Sequence, residues 1–581
     1  MNLQNSLKSR LTMLLAAGTM LTAGLTLSGP VSAYDEGIDS LSGNYLAGLY
    51  ARRLQDNDAA AEYFSRALRD DPENELIISR AFELEVSRGN FDRSVKLAKR
   101  VVKNDPRQRM ARTVLALYDI KAGKYASARE HLTHAAYTPL GQLTSALLTA
   151  WAWAGERKLE QALEALNELD KTESFGIYKS FNAALIADFL GKPAEAKRHF
   201  SRIYDDASSS LRVIQAYGNY LERTGKADDA AKIYKRYVQG QVSHPLVKQT
   251  LTRVESGGKA TPLIRSVHDG AAEALFSLSS ALADQSGTSF ALIYAQLSLQ
   301  MRPGFPVALT LLGDIYEDMK NHKNAIEAYE KVPAGSALRP NAEIRVAINF
   351  NNMGDEKKAE ENLKAQIERR PDNYESVVSL ADILRGHDRF ADAAEYYSRA
   401  ITLAGDVEPR HWMLFYFRGI CYERSKRWPK AEADFRKALE LNNDQPLVLN
   451  YLGYSWIDKG LNLEEAIGMI RKAVELRPND GYIVDSLGWA FFKLKNYAEA
   501  VQHLERAVEL KPDDPVINDH LGDAYWRSGR KLEAGFQWQH AKDNKPEPDD
   551  LVEIEEKLKS GLPAETPDAA VGEESEPDKK S

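Results

Sequence analysis

The sequence predicts an all-α fold, a solenoid of antiparallel helix pairs wound as a right-handed superhelix, with about 14 pairs along its 581 residues. One observation is the spacing of apolar residues at intervals of three and four, which places them on one face of a helix. Another is a period of 34 or 35 residues that relates glycine, alanine and proline positions: Gly419, Gly453, Gly488 and Gly522; Ala431, Ala466, Ala500 and Ala534; Pro478, Pro512 and Pro546.

Each recurring residue has a structural role in a helix pair. Glycine lets the first helix approach the second closely, alanine on the second helix accepts that packing, and proline ends the second helix. The repeat from Gly481 to Pro512 is the clearest, with two apolar stripes joined by a polar turn at Lys495 and Asn496. This pattern resembles the tetratricopeptide repeat, a helix pair of about 34 residues. An aromatic residue three positions after the glycine is expected to fill the space beside it, at Tyr422, Trp456, Phe491 and Tyr525.

The first 33 residues are predicted to be a secretory signal peptide. Two basic residues precede the apolar run Leu11–Ser28, Pro30 interrupts that run, and a small-residue cleavage site ends at Ala33. Cleavage there would leave a protein without a membrane span in the periplasm of a Gram-negative bacterium. The alternative is an uncleaved leader that anchors the protein in the inner membrane, facing the same compartment.

The repeat pattern divides the rest of the chain. Two stretches interrupt the period, and the region around Gly257 and Gly258 is the longer of them. A polar helix is expected to close the solenoid, because its last apolar face needs a cover. The predicted segments are a signal peptide at 1–33, an N-terminal array of degenerate repeats at 34–240, an irregular linker at 241–268, a C-terminal array at 269–546, a capping helix at 547–560 and a disordered acidic tail at 561–581.

Composition excludes several classes of function. The chain holds 76 Lys and Arg against 84 Asp and Glu, a formal net charge of −8, so nothing supports non-specific nucleic-acid binding. One cysteine among all residues excludes a disulfide framework and a cysteine-based zinc site. Cys421 follows Gly419 within a first helix and is interpreted as a small core residue rather than a nucleophile.

No catalytic, cofactor-binding or metal-binding residue is predicted. His131 and His134 are three positions apart on a helix, but no third ligand stands at a suitable spacing, so we interpret them as part of a solvated face. The Ser-x-x-Lys matches at Ser256 and Ser528 lack the companion motifs of that chemistry and are interpreted as turns. Phosphate-loop and dinucleotide fingerprints are absent from the sequence. The chain is therefore predicted to be a non-enzymatic scaffold that binds other proteins.

The candidate partner-binding residues lie on the first helices of the last repeats, on the side away from the partner helix. That side is expected to line the concave surface of the superhelix. Aromatic and charged side chains together on such a surface suit the binding of a peptide or protein. The alternative is that the aromatic residues only pack between neighbouring repeats. The candidates are Tyr454, Asp485, Trp489, Lys493, Asp523, Trp526 and Arg527.

Three segments of the last repeats carry a further resemblance: Tyr451–Trp456, Asp485–Trp489 and Asp519–Trp526. Over roughly residues 446–546 the chain resembles a group of bacterial envelope tetratricopeptide proteins. The described member of that group is an outer-membrane lipoprotein that acts as an adaptor for a periplasmic C-terminal processing protease, a serine protease, and presents peptidoglycan hydrolases to it. The present chain lacks the lipidated cysteine of that lipoprotein.

The resemblance implies an adaptor role for this chain, with a periplasmic serine protease and cell-wall hydrolases as partners. A second hypothesis is an assembly or export factor for an envelope polysaccharide, a pilus or outer-membrane proteins. Both hypotheses use the array as a binding surface, and the residues alone do not name the partner.

Overall fold

A computed structural model describes residues 40–207, 210–240, 244–284 and 287–564. The predicted signal peptide and all but the first four residues of the predicted acidic tail lie outside the described residues. The chain divides into two compact units, whose described parts are 40–371, the N-terminal unit, and 372–564, the C-terminal unit.

The N-terminal unit is a succession of antiparallel helix pairs. Short 3-10 helices at Glu168–Lys171 and Glu173–Phe175 join two of these pairs. Its α-helices are α1 (Leu41–Arg53), α2 (Asn57–Asp70), α3 (Glu75–Ser87), α4 (Phe91–Asn104), α5 (Arg109–Lys121), α6 (Tyr125–Thr133), α7 (Pro139–Gly155), α8 (Leu159–Asn167), α9 (Gly176–Phe189), α10 (Pro193–Ala207), α11 (Leu211–Arg223), α12 (Ala227–Gly240), α13 (Pro245–Glu255), α14 (Val267–Ala283), α15 (Thr288–Met301), α16 (Pro306–Asp318), α17 (His322–Glu330), α18 (Arg339–Asn352) and α19 (Glu356–Arg369).

The C-terminal unit repeats the same arrangement with a more regular period. A 3-10 helix at Pro409–His411 occupies the small insertion between its first two pairs. Its α-helices are α20 (Tyr374–Gly386), α21 (Phe390–Ala404), α22 (Trp412–Arg424), α23 (Trp428–Leu441), α24 (Pro446–Lys459), α25 (Leu463–Leu476), α26 (Gly481–Lys493), α27 (Tyr497–Leu510), α28 (Pro515–Arg527), α29 (Lys531–Asp543) and α30 (Pro548–Ser560).

The described ranges contain 30 α-helices and no strand, which confirms the all-α prediction. Fourteen pairs form, six before residue 241 and eight after residue 266, and α13 and α30 lie outside them. The predicted linker at 241–268 contains α13, an eleven-residue helix that packs against α12. The boundary between the two compact units falls between residues 371 and 372, not in that linker.

Repeat glycines are the points of closest approach within the pairs. A Cβ atom on Gly419 would lie 2.7 Å from the ring of Phe435, and one on Gly522 would lie 2.5 Å from the indole of Trp538. The bulky residue that faces the glycine comes 16 positions later, on the second helix, rather than from the first helix itself. The same offset relates Gly48 to Phe64, Gly218 to Tyr234, Gly313 to Tyr329 and Gly488 to Leu504.

Two helices of the N-terminal unit, α14 and α15, pack against the first helices of its earlier pairs, α3, α5, α7 and α9. The contact is close: Trp151 of α7 is fully buried, and a Cβ atom on Gly270 of α14 would lie 2.3 Å from its ring. A buried hydrogen bond of 2.8 Å joins the hydroxyls of Thr144 and Tyr294. The surface formed by these first helices is therefore covered in part by the unit's own chain.

Polar contacts fix the same packing. The Gln300 amide donates to the Gly89 carbonyl over 2.8 Å. Arg212 of α11 donates to both carboxylate oxygens of Glu273 of α14, and the Glu273 side chain is fully buried. Separating this pair would leave a charge buried without compensation, so the pair favours the packing of α11 against α14.

Candidate functional site

The C-terminal pocket is a cavity of about 410 Å³ between the first helices α24, α26 and α28 and the last helix α30. Its lining combines apolar, aromatic and charged side chains. The lining residues are Tyr454, Asp458, Trp489, Lys493, Pro515, Val516, Asp519, His520, Asp523, Pro546, Asp550, Glu553, Ile554, Lys557 and Leu562.

Helical register places the same repeat positions in this pocket. Tyr454, Trp489 and Asp523 each follow a repeat glycine by one residue. Because the glycine faces the second helix of its pair, the next residue, about 100° further around the helix, points to a different face. Asp458 and Lys493 follow four positions later on that face and line the same cavity.

Four of the seven candidate residues therefore line this cavity: Tyr454, Trp489, Lys493 and Asp523. A fifth, Asp485, contacts the lining residue His520. Asp485 is fully buried and lies 2.8 Å from the imidazole Nδ1 of His520. His520 in turn stacks on the indole of Trp489, with ring centroids 3.9 Å apart and planes 15° apart. Asp485 is thus a buried residue that orients the histidine.

Trp489 is the aromatic centre of the pocket. Besides His520, it stacks on Phe492 with centroids 4.6 Å apart, and the Lys493 ammonium lies 5.4 Å from its ring centre. Its indole Nε1 is buried and has no hydrogen-bond partner among the described residues. A buried donor without an acceptor is destabilising, so a ligand that supplies an acceptor here would bind more tightly.

An ion cluster forms one wall of the pocket. Lys557 of α30 donates to Asp519 over 2.7 Å and to Asp523 over 2.9 Å, and the Trp538 indole donates to Asp523 over 2.9 Å. Burial raises the pKa of Asp523 to about 6, and the nearby Asp519 carboxylate adds to that effect. Burial opposes the charge of Lys557, but the two carboxylates outweigh it, so the pKa of Lys557 lies above its ordinary value.

Trp526 and Arg527, the last two candidates, contact the chain that follows α30. Trp526 packs against Trp538, with ring centroids 5.4 Å apart, and against Gly561, where a Cβ atom would lie 1.9 Å from the indole. The Arg527 guanidinium donates to the Pro563 carbonyl over 2.8 Å. These two side chains hold the start of the predicted tail, and they are not among the pocket-lining residues.

Sequence reasoning missed the contribution of α30. Asp550, Glu553, Ile554 and Lys557 complete the pocket, yet α30 lies outside the repeat period, which therefore could not assign its inward face. A usable signal was the spacing of Asp550, Ile554 and Lys557, at intervals of four and three on one helical face.

A larger cavity of about 870 Å³ lies within the N-terminal unit, between α15 and the helices α1, α3, α5 and α7. Two of its charged residues pair with each other, Arg52 with Glu83 at 3.4 Å. The Arg109 guanidinium lies 5.6 Å from the ring centre of Phe290. This cavity is the space that α15 leaves when it covers the first helices.

Among the described residues, no group of three or more His, Cys, Asp or Glu is placed to hold a metal ion. Cys421 is buried, and burial raises the pKa of its thiol to about 12. None of the helices in the described ranges combines the length and the apolar character needed to cross a membrane.

The fold and this pocket define a helical-repeat protein with a concave candidate binding site. The chain is, more narrowly, a tetratricopeptide-repeat protein. Models described as tetratricopeptide repeat match residues 51–118, 307–332, 352–408 and 379–446, and one described as TPR repeat matches 488–529.

Curated relatives match parts of the chain. A TPR repeat-containing protein of Pseudomonas aeruginosa is 27% identical over 183 residues, 31% of this chain and 30% of the relative. Tetratricopeptide repeat protein 13 of Homo sapiens is 31% identical over 129 residues, 22% of this chain and 14% of the relative. The matches thus span less than a third of each relative's length.

Solved structures resemble the chain more distantly. The APC/C hetero-tetramer Cut9–Hcn1 matches with a TM-score of 0.38 and 15% identity, over 90% of this chain and 96% of that chain. Yeast Tom70 matches with a TM-score of 0.34 and 14% identity, over 90% and 95%. Similarity at this level supports no conclusion beyond the helical-repeat fold that the structure already shows.

Proposed function

We propose that this protein is a non-catalytic adaptor that docks a peptide segment of a partner protein in the C-terminal pocket. The supporting observation is the pocket itself, in which an indole N–H without an acceptor lies beside charged and apolar side chains. Concave sites with a few convergent polar groups are where proteins bind ligands. The corresponding surface of the N-terminal unit is covered in part by α14 and α15, which leave a cavity beneath them.

The partners in this proposal are a periplasmic C-terminal processing protease and the peptidoglycan hydrolases that it degrades. The resemblance over residues 446–546 supports it, and that stretch contains α24, α26 and α28, the three first helices of the pocket. The array would hold the hydrolase and the protease together, so its effect would be on local concentration rather than on chemistry.

Affinity capture tests this proposal. The tagged full chain is expressed in its own host, and the proteins bound to it in a periplasmic extract are identified by mass spectrometry. We expect a serine protease with cell-wall amidases or endopeptidases, and accumulation of those hydrolases when the gene is deleted. Recovery of glycosyltransferase or secretion components would instead indicate the assembly or export role.

Substitution in the pocket tests the docking site. We expect Trp489→Ala to weaken partner binding by about 2 kcal/mol or more, since buried aromatic anchors dominate interfaces. Phe536→Ala is the matched control, because Phe536 is 65% exposed and does not line the pocket. Full affinity in a folded Trp489→Ala protein would exclude the C-terminal pocket as the docking site.

The proposed compartment is the periplasm, reached through cleavage after Ala33. The basic, apolar and small-residue order of the first 33 residues supports it. Intact-mass measurement of the protein purified from its host tests the cleavage. A chain that starts at Tyr34 is expected, and a chain that keeps residues 1–33 would support an inner-membrane anchor.

A further inference from the structure

The C-terminal pocket carries more negative than positive charge. Five carboxylates line it, against the two ammonium groups of Lys493 and Lys557. The carboxylates come from three helices, α24, α28 and α30, so the excess is a property of the assembled pocket. They are Asp458, Asp519, Asp523, Asp550 and Glu553.

The pocket already holds one cation from the protein itself. Lys557 reaches both Asp519 and Asp523 through its ammonium group, at 2.7 and 2.9 Å, and only 15% of its side chain is exposed. This contact demonstrates that the wall accepts a buried ammonium between two carboxylates. Charge-assisted hydrogen bonds of this type are among the stronger ones in proteins.

Lys557 does not use all the acceptors. Asp519 Oδ1 and Asp550 Oδ2 are buried and have no hydrogen-bond partner in the part of the chain that the structure describes. Glu553 and Asp458 line the pocket and take part in none of the ion pairs found there. The pocket therefore holds more acceptors than donors, which is the complement of a group rich in N–H donors.

The electrostatic surroundings agree with this count. Burial raises the pKa of Asp550, and the carboxylates of Asp519 and Glu553 raise it further. Repulsion among carboxylates is relieved when a positive charge enters. Trp489 lines the same pocket, and its indole donor has no partner among the described residues.

We propose that the C-terminal pocket selects a peptide segment carrying an arginine or lysine side chain, which the carboxylates of α28 and α30 bind while Trp489 donates to the peptide main chain. This specificity rests on the proposed function, peptide docking in the pocket. Its chemistry is opposite to that of a basic clamp, which would bind a terminal carboxylate.

A random twelve-residue peptide library displayed on phage is the probe, selected against the full chain. We expect peptides enriched in arginine or lysine at one position. Replacing that arginine by citrulline, its neutral isostere, in the most enriched peptide is expected to weaken binding by about tenfold or more, as a charge-assisted hydrogen bond is lost. Selection of acidic or uncharged peptides, or equal binding of the citrulline peptide, would overturn the charge preference.

Variants separate the charge preference from docking itself. Asp550→Asn with Glu553→Gln removes two charges of α30 without touching the Lys557 pairs and should abolish the preference for arginine over citrulline. Asp513→Asn, an exposed acid outside the pocket, should preserve it. If Trp489→Ala abolishes binding while the acid variant keeps the preference, docking stands and the charge assignment fails. If no peptide is selected, or if Trp489→Ala binds as well as the wild type, the proposed docking fails and the charge assignment fails with it.

Discussion

The N-terminal unit covers its first helices with a helix pair of its own and keeps a cavity beneath that cover, whereas the C-terminal unit covers its last first helices with a single helix and keeps a smaller pocket. Both units consist of the same helix pair, with the same glycine opposite a bulky residue 16 positions later. The difference lies in what covers the first helices. In the N-terminal unit it is a complete helix pair, α14 and α15, and in the C-terminal unit it is the edge of a single polar helix, α30.

The repeat alone therefore does not decide whether a surface is available to a partner. α15 is buried almost all round, with nine of its 14 residues in the core, whereas the amphipathic helix α27 buries four of 14. A helix that is apolar on all sides needs a cover on all sides. The first helices of the N-terminal unit provide that cover.

The largest effect that we expect comes from breaking the polar contact between α11 and α14. Arg212→Met would leave Glu273 charged and fully buried, at a cost of about 3 to 5 kcal/mol in the free energy of unfolding of the N-terminal unit. Urea titration with hydrogen exchange, read by mass spectrometry on peptides from each unit, measures it.

The control for that experiment is Arg506→Met in the C-terminal unit. Arg506 and Glu509 form an exposed pair, which is expected to contribute about 0 to 1 kcal/mol. Equal losses from the two substitutions would mean that the Arg212 contact does not hold the N-terminal unit closed.

A smaller effect is expected at the closest contact of the same interface. Gly270→Ala would push a methyl group into the ring of Trp151 and cost about 1 to 3 kcal/mol, a typical penalty for overpacking. Gly468→Ala, on the open side of α25, should stabilise the C-terminal unit by about 0.5 to 1 kcal/mol. Thermal unfolding of both variants checks the opposite signs, and stabilisation by Gly270→Ala would contradict the close packing.

Acidification should distinguish the two units by a modest amount. Burial lowers the pKa of His131, His199 and His244 in the N-terminal unit, so their contribution to stability is present above pH 6.5 and is lost as the pH falls below it. Among the described histidines of the C-terminal unit, His503 is the one whose pKa is lowered. The same unit contains Asp523, whose pKa is raised to about 6, so its protonation stabilises the folded state as the pH falls through that value.

Between pH 7.5 and pH 5.5 we therefore expect the N-terminal unit to lose more stability than the C-terminal unit. Hydrogen exchange on peptides of the full chain at both pH values measures this difference. A larger loss in the C-terminal unit would contradict the assignment.

The least disturbing test uses the one thiol as a reporter. Burial raises the pKa of Cys421 to about 12, so a thiol reagent at pH 8 should not label the native protein within the time that labels the unfolded chain fully. In urea, labelling of Cys421 should increase as the C-terminal unit unfolds and should be unaffected by Arg212→Met. Rapid labelling of the native protein would show that α22 opens independently.

The sequence predicts much of this fold because the repeat is local. In the regular repeats the pairs follow from glycine, alanine and proline at a fixed spacing, in the degenerate ones from the apolar periodicity alone, and each pair forms between helices that are adjacent in the chain. Asp485 illustrates the limit: helical register placed it on the pocket side, but only packing reveals that His520 covers it. The packing of α14 and α15 against α3, α5, α7 and α9 joins residues that are far apart in the chain. The repeat period does not predict such contacts, because it relates only neighbouring pairs.

That long-range closure also has a consequence for the way in which the chain folds. An open array can fold pair by pair as it emerges, because each pair meets only its neighbours. In the N-terminal unit, Thr144 forms a hydrogen bond with Tyr294, 150 residues later in the chain, and Gly89 forms one with Gln300, 211 residues later. Contacts at such separations slow folding and prolong the exposure of apolar surface. The apolar surface of α3, α5 and α7 therefore stays exposed until α14 and α15 are available to pack against it.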